Sequence, residues 1–231
     1  MSNVQVIHKA ALLTVTGSYV ERTRQQCRQP GEYLLIEDTT LLDYSRHGAA
    51  EELGIIGTVR GFELHSTVAV RVEGWTLEQR PEGTVVGLFD QQCRRPRRVP
   101  TGEKRGEWLS RPRKTQAWAA GIKKAGGPPN ESRWIYVADR ESDFYEPLWI
   151  CQQHGVDWVV RAYHDHWLAD ETGHMRAAVA QGPVVGQTTV EVRARGGNRP
   201  ARPRWKCGVC VWIWPGPGVR EDGRSRSGTW G

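Results

Sequence analysis

The sequence has no apolar run approaching the roughly 20 residues that a membrane-crossing helix needs. Its first residues, Met1 to His8, lack the basic-then-apolar pattern of a secretion signal. Cysteine is sparse. Cys27, Cys93, Cys151, Cys207 and Cys210 are odd in number and irregular in spacing, which excludes the paired framework of small disulfide-stapled secreted domains. Together these absences lead us to expect a cytoplasmic protein with reduced thiols and no membrane partner. No internal repeat is visible. Lysine is scarce but arginine is common, and the 231 residues carry a formal net charge of +6. The estimated pI is about 9.2. A basic, arginine-rich surface suits polyanions, because the guanidinium fork matches phosphate better than an ammonium does. By itself that balance is equally compatible with a soluble protein that is merely basic. The length suffices for one sizeable core, or one domain with an insertion.

The pattern along the chain alternates strands with helices. Helical spacing over about Gln5–Gln29 predicts a helix that Pro30-Gly31 ends. Glu32-Tyr-Leu-Leu-Ile-Glu-Asp38 is a short apolar run with a carboxylate at its end, and reads as a buried strand. Phe62–Val72 and Gly83–Phe89 read as two more strands, and the short links suggest an antiparallel meander. Gln91–Lys114 is polar, basic and proline-containing, and reads as a loop. A helix is predicted over about Arg113–Lys124. Trp134–Asp139, Arg140–His154 and Val156–Ala162 then read as strand, helix and strand, the makings of a βαβ unit. Val184–Arg195 alternates like a half-exposed strand.

From Gly196 the composition changes. Leucine vanishes, yet Trp205, Trp212, Trp214 and Trp230 crowd among Gly, Arg and Pro. A disordered linker would not be so rich in tryptophan. A displaced reading frame accounts for it. Trp205-Lys-Cys-Gly-Val209 must be encoded TGG-AAR-TGY-GGN-GTN. Reading each codon from the last base of one triplet and the first two of the next gives Leu/Val/Met, Glu, Val/Met and Arg/Trp. After one small or basic position come Leu/Val/Met, Arg/Cys, Leu/Val/Met, Asp, Leu/Met and Ala. That alternation of apolar and charged residues is strand-like, and the written frame shows none. A frameshift between about Arg195 and Trp205 is therefore expected. Cys207-Gly-Val-Cys210 has no second CxxC and no paired His, so it reads as coincidence rather than half a zinc site.

Two segments carry the best candidates for chemistry. Ile36-Glu-Asp38-Thr-Thr40 and Val137-Ala-Asp139-Arg-Glu-Ser-Asp143 each place an Asp where an apolar strand ends. Strand ends from separate segments can lie side by side in a sheet. Two such carboxylates can hold Mg²⁺ or Mn²⁺, hard cations that prefer oxygen. On periodicity alone an Asp after a strand is more often a turn former or helix cap, and Asp139 is placed to cap the segment after it. Of the histidines, His65 reads as a packed or hydrogen-bonded strand residue. His164 and His166 flank Asp165 at a spacing that metals can use.

Glu32-Tyr-Leu-Leu-Ile-Glu-Asp38-Thr-Thr-Leu-Leu-Asp-Tyr44 with Ala50-Glu-Glu-Leu-Gly-Ile-Ile-Gly57 resembles the first catalytic segment of bacterial DDE transposases of the IS-four, Tn-five type. Leu64–Arg71 and Val85–Gln92 are similar to the next two strands of that family. Val137–Phe144 resembles its second catalytic segment and Trp158–Ala162 the strand after it. The likeness runs in order from about Gln5 to Arg195. It implies an α/β, RNase H-like fold over residues 1–195, a mixed sheet with flanking helices and the start of a β-rich insertion, ahead of a disordered or out-of-frame tail over 196–231. It further implies DNA transposition, with cleavage and strand transfer at element ends. Asp38 and Asp139 stand at the first two metal-ligand positions, for Mg²⁺ or Mn²⁺. Arg161 stands at a DNA-contacting position, Arg140 in a supporting one beside Glu141. The implied partners are double-stranded DNA, as element ends and target, and a second copy or full-length transposase, in a bacterial cytoplasm near the nucleoid. The basic stretch Arg94–Arg113 would track phosphates.

The family's third ligand is a Glu in a Tyr-x-x-Arg-x-x-x-Glu setting, which this sequence lacks. Glu171, Glu191 and Glu221 have no such context. Little or no transposition by this chain alone is therefore expected. The alternatives are a non-catalytic DNA-binding or inhibitory fragment, or a stand-alone nuclease. Sequencing the gene from codon 190 past the stop tests the frame. A shifted frame that stays open and reaches that Tyr and Glu pattern is the expected result, and one that stops at once would sink the frameshift.

Overall fold

The structure is a computed structural model. It describes residues 16–47, 55–56, 58–73, 82–94, 114–168, 173–182, 184–189 and 204–208. Two compact units divide at Tyr163 and His164.

In the first unit, helix α1 (described over 16–26) leads into strand β1, Gly31–Asp43. Strands β2 (Ile55–Ile56), β3 (Val59–Glu73) and β4 (Glu82–Arg94) come next. A 3-10 turn at Lys114–Ala117 precedes helix α2, Ala120–Ala125. Strand β5 (Ser132–Ala138), a 3-10 turn at Arg140–Ser142, helix α3 (Tyr145–Gln153) and strand β6 (Asp157–Val160) complete it. The long strands are ordered β4-β3-β1-β5-β6, and β2 pairs with the start of β3. β1, β3 and β4 form an antiparallel meander. β5 and β6 run parallel to β1 and to each other, with α3 as the crossover. The fold is thus mixed α/β: an open sheet, part parallel and part antiparallel, with flanking helices.

Local chemistry explains the places where the elements depart from the sequence reading. β4 continues through Gln91–Arg94 instead of yielding to a loop, because β3 supplies partners as far as Glu63↔Arg94. The rest of the basic stretch, 95–113, lies outside the described residues, as do 5–15 of the first expected helix and 190–195 of the late strand. The helix expected over Arg113–Lys124 is broken into two pieces. Ala119 between them takes φ 56°, a left-handed conformation uncommon for a residue with a Cβ. The helix expected over Arg140–His154 is likewise a 3-10 turn and then α3. Asp139 caps the first piece and extended Phe144 precedes the second.

Alternation along β1 and β5 separates the two faces of the sheet. Tyr33, Leu35, Trp134 and Tyr136 are buried on one face, with Ala69 and Phe89 from the meander. Cys27 beyond α1, Trp118, Ile122 of α2 and Cys151 of α3 pack with them. Helix α1 approaches β4 at Gly87, where an added Cβ would meet Thr23 Oγ1. A buried carboxylate locks the helices to the sheet. Asp90 of β4 accepts from Arg24 Nη2 at 2.9 Å and Lys124 Nζ at 3.0 Å, and Gln92 Nε2 donates to its other oxygen. The opposite face carries Leu34, Ile36, Val68, Val70, Ile135, Val137 and Val159, of which Ile36 and Val159 are exposed. Near-continuous apolar strands with one face half open are unusual for parallel pairing, which normally has both faces covered.

The second unit contains an isolated bridge between Trp167 and His174, helix α4 (Met175–Gln181) and the antiparallel pair β7 (Val184–Thr189) and β8 (Arg204–Gly208). β8 falls inside the stretch whose composition departs from the rest. No helix among the described residues is long and apolar enough to cross a membrane.

Neighbouring residues of β1 give a direct test of the two faces. Leu35→Ala should cost about 2–5 kcal/mol in urea unfolding, and Ile36→Ala under about 1 kcal/mol. Burial also holds thiols protonated. It pushes Cys27 from 9.0 up to about 12, and it raises Cys151 further. The native state then keeps a proton that the unfolded chain releases. Stability is intact below about pH 9 and falls as pH climbs toward 12. Thermal melting of Cys27→Ala should begin lower at neutral pH but fall less steeply over that range.

Candidate functional site at the ends of the parallel strands

β1 and β5 are paired in register from Gly31↔Ser132 to Glu37↔Ala138. The next residue on each strand is a candidate aspartate. Asp38 comes after Glu37 and Asp139 after Ala138, and Asp139 keeps an extended backbone (φ −82°, ψ −172°). The register therefore brings Asp38 and Asp139 to neighbouring positions where the pairing of β1 with β5 stops, on the face opposite buried Glu37 and Ala138. β5 ends there, but β1 runs on to Asp43 against β3, so the strand expected to end at Asp38 is longer than its apolar run. β6 adds the third neighbour. Val160 pairs with Ala138, and the Arg161 N–H donates to the Ala138 carbonyl at 3.2 Å. Asp38, Asp139 and Arg161 thus form one row across β1, β5 and β6, within β1 and just past the ends of the other two. The carboxyl edge of parallel strands is where open α/β sheets gather ligand-binding groups.

Asp38 is exposed and its Oδ1 accepts from the Thr39 N–H at 2.8 Å. Asp139 is half-buried and its Oδ1 accepts from the Glu141 N–H at 2.8 Å, so it does cap the adjoining turn. Each carboxylate therefore uses one oxygen on local backbone and keeps another that neither of these bonds uses. Such a pair fits a hard divalent cation, which is commonly held by one or two carboxylates together with water and substrate phosphate. Among the described residues no group of three or more His, Cys, Asp or Glu comes together. Among the described residues this row holds two carboxylates.

Two supports were not evident from the sequence. On the β6 side, buried Asp143 accepts from the Tyr163 N–H through Oδ2, and the Arg140 guanidinium lies 5.7 Å from the centre of the Tyr163 ring. Two charged positions of the Asp139–Asp143 segment therefore hold the chain just beyond Arg161. Arg140 itself is exposed, as are Glu141 and Arg161.

On the β1 side, Glu37 is 2% exposed. Its Oε1 accepts from Thr67 Oγ1 at 3.0 Å and its Oε2 from the Ala119 N–H at 2.9 Å. Left-handed Ala119 and the break in the expected helix now have a cause, since that backbone N–H turns toward a buried carboxylate. His65, equally buried, is the packed strand histidine the sequence suggested. Its ring meets Trp118 edge-on at 4.6 Å, and its Nδ1 lies 2.8 Å from Thr39 Oγ1. Its Nε2 is 3.0 Å from Glu37 Oε1 but is not in hydrogen-bonding alignment with it. That contact is a close packing contact rather than a directed hydrogen bond. Burial, and then the Glu37 charge, hold the Tyr136 phenol well above its usual range, and Tyr136 Oη shares a hydrogen bond with Ser142 at 2.8 Å. A Glu between an apolar residue and an Asp at a strand end was the one available signal for this cluster.

The remaining candidates stay apart from this row in sequence and role. His164 and His166 stack edge to face at 5.7 Å in the second unit, while Asp165 accepts from the Arg176 N–H. Arg94 ends β4 opposite Glu63. Neither the protein-family models nor the curated proteins searched give a match to this chain.

Glu37→Ala removes the acceptor of two buried donors. It should cost on the order of 3 kcal/mol in urea unfolding, whereas Glu37→Gln, which keeps an acceptor oxygen, should cost less.

Proposed function

We propose that this chain is the core of an RNase H-like DDE transposase of the IS-four, Tn-five type, with an incomplete set of metal ligands. In that role Asp38 and Asp139 hold Mg²⁺ or Mn²⁺, and Arg161, supported by Arg140, contacts the DNA backbone. One observation carries the proposal. The parallel register ending at Glu37↔Ala138 supports it, because the next positions are Asp38 on β1 and Asp139 just past β5, with Arg161 just past β6. The strand order β4-β3-β1-β5-β6, with an antiparallel meander and two parallel strands, is compatible with that fold.

A divalent cation there would activate a water or a DNA 3′-hydroxyl and stabilise the oxygen leaving phosphorus. The chain's own side chains bind and orient. Asp38 and Asp139 supply hard oxygen ligands of matched charge. Arg161 brings a positive charge to the same row, suited to a phosphate that approaches two carboxylates. Asp143 and Arg140 restrain the backbone beside it through Tyr163. With two carboxylates in place of three, an ion is held less tightly and positioned less well, so cleavage and strand transfer by this chain alone are expected to be slight or absent. The consequence is a protein that occupies DNA without cutting it, or that joins full-length subunits and inhibits them.

Binding of the purified chain to linear double-stranded DNA and to Mn²⁺ tests this. Affinity for DNA should fall steeply with salt, and Arg161→Ala should weaken it across sequences. Asp38→Asn and Asp139→Asn should each reduce Mn²⁺ uptake by at least about tenfold, without loss of the folded state. Mn²⁺ uptake that the double variant leaves unchanged would sink the assignment of the ligands. Efficient Mg²⁺-dependent nicking by the chain alone would instead make it a self-sufficient nuclease.

A further inference from the structure

We propose that His65 is a positioning residue for the Asp38 carboxylate, acting through Thr39. The inference rests on the reading of Asp38 as a metal ligand and adds a part to that site.

β1 and β5 stop pairing at Glu37↔Ala138, so from Asp38 onward β1 is held by β3 alone. The residue that carries the first ligand is thus the first of its strand to lose a neighbour. Alternation turns Glu37 and Thr39 to the buried face and Asp38 to the open one. Opposite Thr39 in the β3 register stands His65, and opposite Glu37 stands Thr67. Both turn to the same buried face, and a polar cluster closes beneath Asp38.

The links are short and continuous. Asp38 Oδ1 accepts from the Thr39 N–H at 2.8 Å. Thr39 Oγ1 lies 2.8 Å from His65 Nδ1, which anchors the threonine side chain to β3 beside the peptide that presents its N–H. The His65 ring cannot swing away. Trp118 stands edge-on against it, and Glu37 lies 3.0 Å from its other nitrogen. Glu37 is itself fixed by Thr67 and by the Ala119 N–H. Burying a carboxylate and an imidazole is costly, and an aliphatic pair would fill the same space without that cost. The polar pair earns its place by reaching Thr39. Outer partners of this kind orient ligating carboxylates, and their loss commonly costs about 10–100-fold in metal affinity.

The test uses the whole chain and Mn²⁺ alone, read by calorimetry and by electron spin resonance of the free ion, with melting temperature as the control for folding. Thr39→Val keeps the branched shape and removes the hydroxyl. It should weaken Mn²⁺ binding by about tenfold while the melting temperature stays near that of the unsubstituted chain. Thr39→Ser, which restores the hydroxyl, should recover the affinity. His65→Gln should weaken binding to a similar extent. The double variant should be no worse than the weaker single one, because both break the same path. If Thr39→Val binds Mn²⁺ as the unsubstituted chain does while Asp38→Asn does not, the positioning role is overturned and the metal site stands. If the unsubstituted chain takes up no Mn²⁺, the metal site itself falls and this role with it.

Discussion

Strands β1 and β5 run parallel, and parallel neighbours cannot be joined by a tight turn. The chain must therefore leave β1, build the antiparallel meander, pass through α2 and return to start β5 on the far side. That single pairing sets every later placement. It fixes which residues of β1 face Trp134 and Tyr136, it seats β6 beyond β5, and its last rung decides which residues stand together at the strand ends. A slip of one residue would turn Asp38 to the buried face and Glu37 to the open one. The aromatic and aliphatic rows Tyr33/Trp134 and Leu35/Tyr136 oppose such a slip, because it would expose fully buried side chains.

The same face shows how polar groups are tolerated in this core. Glu37 and Asp90 are both buried carboxylates, and both are satisfied by elements outside their own strand. Asp90 draws Arg24 and Lys124 from two helices onto β4. Glu37 draws the Ala119 backbone from the α2 side and Thr67 from β3. Each is a tie between the sheet and its covering layer. A buried carboxylate with its partners satisfied specifies one arrangement, and an unsatisfied one would be among the largest penalties available. The open face has no such ties among the described residues. It carries the row Asp38, Asp139 and Arg161 beside its aliphatic residues.

Much of this was legible in the sequence. The apolar runs Tyr33–Ile36 and Trp134–Val137 announced buried strands, and the terminal Asp of each marked the candidate site. The βαβ unit was expected from the succession Trp134–Asp139, Arg140–His154 and Val156–Ala162. What failed was the continuity of helices around Ala119 and Asp143. Helical spacing was satisfied at both, but the Ala119 N–H goes to the buried Glu37 carboxylate, and the Asp143 side chain ties its segment to the Tyr163 N–H while its own N–H still bonds locally to Arg140. The end of β4 was missed for a related reason. Gln91–Arg94 is polar and reads as loop, yet β3 offers a free edge and completes the ladder.

The strands, their polarity of burial and the two aspartates could thus be read before any fold was known, because periodicity and composition are local properties of the chain. That Asp38, Asp139 and Arg161 share one row came from the folded sheet alone, since register between strands far apart in sequence is set by the packing of whole faces. The fold alone, too, joined Glu37, Thr39, His65 and Ala119 into one cluster. Each of these residues is ordinary in its own segment, and they meet because two strands and a turn converge where the parallel pairing ends.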